Sequence, residues 1–257
     1  MATSLLVTVL AASFLEPIRH TTGPADPILP PPEAHRHGGF YTQCAYFHGM
    51  PILASDKVDS RALRVVVDTF EKMLSRMPED WVDHLAKAGS HYSIIAEEEG
   101  QTDLPEYRHL KDDPKTDWNK RARGLGGLNA SGGEENILEL PSDRYKGESI
   151  FIHEFAHTLD SVVLRKKDPG FRSELRSAYD KAMAKGLWKE TYAATNPEEY
   201  WAEGVQTYFD CNRRASPPNG IHNEIGNREE LRAYDEALFR LLDRVFGSNP
   251  WRYEGSY

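Results

Sequence analysis

Along the chain, apolar residues recur at helical spacing in three segments and gather into short runs in two others. In residues 60–77, Leu63, Val66, Val67, Phe70, Met73, Leu74 and Met77 fall three or four residues apart, which predicts an amphipathic helix whose stripe faces a core. Residues 145–164 repeat the pattern with Ile152, Phe155, Ala156, Leu159 and Val163, and residues 229–246 with Leu231, Tyr234, Leu238, Leu241, Leu242 and Val245. Asn196-Pro197 opens a further helix reaching about Phe209, because Asn caps the free N–H groups of a helix start and Pro is tolerated in the first turn. Residues 91–96 and 135–140 read as short strands bounded by Gly, Asp or Pro. Between them, the polar stretch 111–133 contains Gly124, Gly126 and Gly127, but no Gly-Lys-Ser/Thr follows to make a phosphate loop, so it reads as a surface loop. No internal repeat is visible. The expected class is α+β, a mainly helical domain with a small sheet.

Length and composition change this picture little. A chain of 257 residues with 39% hydrophobic content can bury a sizeable core in one domain. Leu5 to Leu15 form an apolar run ending near Ala11, Ala12 and Ser13, similar to the core and cleavage region of a secretory signal, although no Lys or Arg precedes it. The run is too short to span a bilayer. The organisation expected is a signal at 1–15, a Pro-rich linker at 16–38 and one domain at 39–257, in a secreted monomer. His35 and His37, in the linker, read as solvated and not as a metal site. The net charge of −9 is spread along the chain and favours neither nucleic acid nor an anionic membrane surface. Cys44 and Cys211 could close one disulfide or stay as two buried thiols, and Asn129-Ala130-Ser131 is a glycosylation sequon.

The chemistry concentrates at His153-Glu154-Phe155-Ala156-His157, an HExxH pattern lying inside a helix already indicated by its periodicity. Four residues make about one helical turn, so both imidazoles leave the same face and can grip one tetrahedral zinc ion per chain, with Glu154 directed at the open coordination position as a general base. A third ligand is required. The metzincin solution fails, since Asp160 and Val163 stand where that class has Gly and His. Asp160 itself is a minor candidate. Glu199 is the better one, with Glu203 one turn further on the same face, placed to accept the outward N–H of a ligating imidazole. Against this, Asn196 and Glu199 also have the spacing of a capping box, in which Glu199 would reach back to the helix start.

The segment Tyr192-Ala193-Ala194-Thr195-Asn196-Pro197-Glu198-Glu199-Tyr200-Trp201-Ala202-Glu203, downstream of the HExxH motif, resembles the catalytic domain of anthrax-toxin-lethal-factor-like zinc metallopeptidases. The likeness extends more loosely to residues 49–58 and 123–127, so it spans about residues 40–250. It implies zinc bound by His153, His157 and Glu199, Glu154 as base, Tyr192 facing the metal to stabilise an oxyanion, and Glu203 in support. It also implies a sheet whose edge strand, assigned to residues 133–140, pairs with an extended peptide or protein substrate through Glu134, Glu135, Asn136, Ile137 and Leu138. Nothing is similar to the family's receptor-binding toxin domain. The expected activity is zinc-dependent endopeptidase, and the alternative is a catalytically silent module in which zinc staples a protein-binding fold.

Overall fold

The computed structural model describes residues 27–255, so the expected signal at 1–15 and the linker as far as residue 26 lie outside the described residues. The first two strands, β1 (Gln43–Phe47) and β2 (Met50–Ala54), form an antiparallel hairpin across a tight turn at His48-Gly49, both with positive φ. Next comes α1 (Ser60–Leu74), started by Asp59, whose carboxylate accepts a hydrogen bond from the Arg61 N–H at 2.9 Å. Its stripe is the predicted one: Leu63, Val66, Phe70, Met73 and Leu74 are all buried. Strand β3 (Tyr92–Ile95) then adds parallel to β2.

The polar stretch expected to be a surface loop instead completes the sheet. It contributes β4 (Gly124–Leu125) and β5 (Ala130–Gly133), giving the order β1-β2-β3-β5-β4 with β5 parallel to β3 and β4 antiparallel to β5. The two-residue β4 is therefore the edge. Its neighbour carries the sequon: Asn129, just before β5, accepts a hydrogen bond from the His91 N–H at 3.2 Å, and Ser131 is fully buried in β5, so this tripeptide runs into the sheet.

The strand expected at 135–140 is corrected. Residues Glu134–Ile137 form a single helical turn, α2, and the residues assigned to substrate binding are buried in it. Each polar one braces a neighbour. Glu134 accepts from the Asp59 N–H at 2.6 Å, at the start of α1, and Glu135 pairs with Arg123 at 2.6 Å. The Asn136 amide donates to the Glu148 carbonyl at 2.8 Å and accepts from the Ile150 N–H at 2.7 Å. Ile137 and Leu138 are core residues. Glu134, Glu135, Asn136, Ile137 and Leu138 therefore form no edge strand, and their side chains are buried in contacts inside the fold.

Behind the sheet lie α3 (Ile150–Thr158), prolonged by a wide turn over Leu159–Leu164, then α4 (Phe171–Ala184) and α5 (Pro197–Tyr208). Phe155 of α3 stacks on Phe70 of α1 with ring centroids 3.6 Å apart, so the HExxH helix is clamped by the helix below it. On its other side the Trp201 indole N–H donates to the Ala156 carbonyl at 2.9 Å, tying α5 to α3. The single helix expected at 229–246 is two, α6 (Arg228–Tyr234) and α7 (Glu236–Val245). The break is at Asp235, buried, whose carboxylate caps the Leu238 N–H at 3.2 Å and accepts from the Trp188 indole and the Tyr200 hydroxyl. Cys44 and Cys211 are buried free thiols, so the disulfide is not formed. Among the described residues no helix is long and apolar enough to cross a membrane.

Candidate metal centre

Both imidazoles of the motif leave one face of α3, as one-turn spacing requires, and their Nε2 atoms stand 3.2 Å apart. Glu199, from the first turn of α5, sends Oε2 to within 3.1 Å of His153 Nε2 and 3.3 Å of His157 Nε2. The capping alternative resolves into two separate tasks. Asn196 caps the helix by accepting from the Glu199 N–H at 2.8 Å, while the Glu199 side chain turns away toward the imidazoles.

Whether these three atoms fit a metal can be read from their spacing and protonation. Donors at about 2.0–2.1 Å from a tetrahedral ion lie about 3.3 Å from one another, and the observed separations are 3.1, 3.2 and 3.3 Å. His153 Nδ1 lies 2.8 Å from Gln206 Oε1, and the Gln206 amide nitrogen donates to the Ser149 carbonyl at 3.0 Å. That second bond fixes the amide with its oxygen toward the imidazole, so Nδ1 carries a hydrogen and Nε2 is the nitrogen left to face the site, its lone pair open to a metal once its own proton leaves. Two imidazole nitrogens and one carboxylate oxygen converge on one point, and the set fits a four-coordinate cation with one position left open.

Burial alone would push His153 down, but the hydrogen bond to Glu199 and the charges of Glu154, Glu203 and Glu199 outweigh it and raise it to about 10 in the metal-free chain. Burial likewise opposes ionisation of Glu199, and the hydrogen bonds from His153 and His157 overcome it, holding Glu199 well below the usual carboxylate range. One proton shared over this contact is what a metal ion would replace.

Glu154 follows His153 and lies against the sheet edge. A Cβ on Gly124 would sit 2.9 Å from Glu154 Cγ, and one on Gly126 would sit 2.5 Å from the Glu154 carbonyl oxygen and 2.6 Å from His157 Cβ. The glycines of this stretch thus let β4 and its continuation lie directly against the HExxH helix, with the Glu154 side chain beside the edge strand in the cleft that His153, His157 and Glu199 also line. Burial pushes Glu154 up, partly offset by the charges of His153 and His157. Tyr192, half-buried, points its hydroxyl at Glu199 Oε1, 3.3 Å away. Its hydroxyl is raised by burial and by Glu199, and Arg121 opposes that rise.

Glu203 is close to its expected place but is not the main partner of His153. Its Oε1 is 3.5 Å from Nδ1, against 2.8 Å for Gln206, and its other oxygen accepts from the Asn212 amide at 3.0 Å. Gln206 carries none of the charge that marks a ligand in the sequence, yet Glu199, Glu203 and Gln206 fall at i, i+4 and i+7 along one helix face. Asp160, the minor ligand candidate, is buried and salt-bridged to Arg172 at 2.7 Å, outside the donor set. Gln206→Leu should lower metal affinity about 10- to 100-fold by freeing the imidazole to turn. Competition against a chelator of known affinity measures this, and an unchanged affinity would remove Gln206 from the role.

Residues 50–216 match the family model described as anthrax toxin lethal factor, N- and C-terminal domain. Among solved structures, the Pro-Pro endopeptidase PPEP-2 from Paenibacillus alvei superposes with a TM-score of 0.50 at 14% identity, over 76% of this chain and 96% of that one, a likeness of fold. No curated protein matches the chain.

Proposed function

Because the chain belongs to the family of the anthrax toxin lethal factor N- and C-terminal domains, we propose that it is a zinc-dependent endopeptidase, with His153, His157 and Glu199 as ligands. The observation that carries this reading is the donor triangle at tetrahedral spacing, with Glu154 in the same cleft against the edge strand β4. Zinc held there supplies Lewis acidity, acidifying a water and polarising the carbonyl of a peptide bond. The chain's own residues do the rest. Glu154 takes the proton of the attacking water on its carboxylate and passes it to the leaving amine, so one side chain is base and then acid. Tyr192 donates its hydroxyl hydrogen to the carbonyl oxygen as charge builds there. Gln206, backed by Glu203, holds the tautomer and orientation of His153. The outer edge of β4, and not residues 134–138, is where an extended substrate backbone would add as a further strand.

The test is mass-spectrometric profiling of a diverse peptide library with the zinc-loaded chain. Cleavage should vanish with a chelator and return with zinc; zinc bound without chelator-sensitive cleavage of any peptide would overturn the proposal. Tyr192→Phe should keep the metal and lose about 10²- to 10³-fold in kcat, the cost of one oxyanion donor. Steady-state rates beside zinc stoichiometry check this, and a variant as fast as the wild type would leave Tyr192 a structural residue.

Metal binding should also be pH-linked. A histidine raised from its ordinary value near 6.5 to about 10 is protonated at neutral pH in the metal-free chain. Zinc must displace that proton, so binding should release about one proton per ion from neutral pH up to roughly pH 9, falling away above the folded-state value. Titration calorimetry in buffers of different ionisation enthalpy reads the number directly, and a release of zero at pH 8 would contradict it.

A further inference from the structure

The cleft above the metal centre encloses about 500 Å³, and four arginines line it. Arg123 is buried and spent on Glu135. The other three, Arg121, Arg144 and Arg213, are exposed, and among the described residues none has a carboxylate within ion-pair distance, whereas Arg214, next to Arg213, pairs with Glu230 at 2.9 Å. Four acids line the cleft: Glu199 faces the imidazoles, Glu203 accepts from Asn212, Glu148 lies 3.4 Å from His222, and Glu154, which feels the charge of Arg121, lies against Gly124. The rim is therefore cationic on a chain whose net charge is −9.

Arg144 is already positioned. One of its N–H groups donates to the Lys120 carbonyl at 2.8 Å and its guanidinium lies over the Tyr145 ring at 4.9 Å, so little freedom remains to be lost when a ligand arrives. A guanidinium has five donors, and the others remain for a planar anion such as a carboxylate. Trp118, Tyr145 and Ile221, the last 50% exposed, give the same cleft its apolar surface. We infer that the cleft selects peptides with acidic side chains beside the scissile bond, received by Arg121, Arg144 and Arg213, next to the apolar surface of Trp118, Tyr145 and Ile221. This specificity rests on the endopeptidase reading of the site.

Binding can be read apart from turnover by using the full-length Glu154→Gln chain loaded with zinc. Three fluorescein-labelled decapeptides would share an apolar centre and differ only in flanking Glu, Gln or Lys, with anisotropy giving each Kd. The Glu peptide should bind about tenfold more tightly than the Gln peptide at low salt, the gap closing as salt screens it. In Arg144→Glu/Arg213→Glu the order should reverse in favour of the Lys peptide, and in Arg144→Gln/Arg213→Gln the preference should disappear, with zinc content and Tm confirming that both variants are folded. Equal affinities, no binding of the Glu peptide, or a preference untouched by these substitutions would overturn the inference. Hydrolysis by the wild-type chain is scored separately. Acidic preference without turnover sinks the endopeptidase reading alone, and turnover without acidic preference sinks the specificity alone.

Discussion

Glu154→Gln should leave the metal bound and lower kcat by about 10²- to 10⁴-fold, the range for losing a positioned acid–base group. Glu154 contributes no atom to the donor triangle, so its replacement removes no ligand. Gln matches Glu in shape and can still lie against Gly124 and Gly126, but its amide cannot accept a proton from water near neutral pH. Burial raises the Glu154 carboxyl above its ordinary value, which moves a base toward the pH at which it must work. A carboxyl whose folded-state pKa is raised favours folding less as pH climbs from its ordinary value through the raised one, so above that window the ionised side chain is a burden on the fold. The variant should accordingly melt no lower than the wild type in the metal-free state, and higher if anything. Steady-state kinetics on a peptide taken from the library, zinc stoichiometry and thermal melts of both forms measure all three. Turnover at the wild-type rate would sink the assignment of the base, and loss of zinc would mean that Glu154 serves the metal instead.

The helices were legible because their instructions are local. Spacing alone marks the α1 stripe, Asn196-Pro197 marks the start of α5, and HExxH fixes two donors by one turn of helix. The sheet edge was not legible. Strands β4 and β5 are Gly-Leu and Ala-Ser-Gly-Gly, lacking the β-branched and aromatic residues that signal a strand. Their composition answers a tertiary demand, since Gly124 and Gly126 leave room for the Glu154 and His157 backbone and side chains. The reverse error came at 134–138. Ile137, Leu138 and Leu140 suggest a strand, while the partners of Glu134, Glu135 and Asn136 are 7 to 75 residues away in sequence and invisible to strand or helix periodicity. Gln206 was missed for a related reason, because an uncharged amide attracts no notice until its two hydrogen bonds show that it sets a tautomer.

Glu199→Ala should weaken zinc binding by more than about 100-fold, since loss of a supporting residue already costs about 10- to 100-fold and this change removes a donor itself. The helix should survive the change, because Asn196 caps the Glu199 backbone N–H and not its side chain. What disappears is the only carboxylate oxygen in the triangle, leaving two imidazole nitrogens 3.2 Å apart with no anion between them. The metal-free chain should feel this too. A carboxylate held below its ordinary range stabilises the fold above its ordinary pKa, and that contribution is lost as pH falls through the depressed folded-state value. The raised His153 reports the same contact from the other side, so the stabilisation is counted once. Without Glu199, His153 should fall back toward its ordinary value, and the metal-free variant should melt below the wild type at neutral pH. Chelator competition gives the affinity and the imidazole resonances of His153 give its titration. Wild-type zinc affinity in Glu199→Ala would place the third ligand elsewhere. A weakened metal with an unmoved His153 would keep Glu199 as a ligand but deny that it holds the metal-free site together.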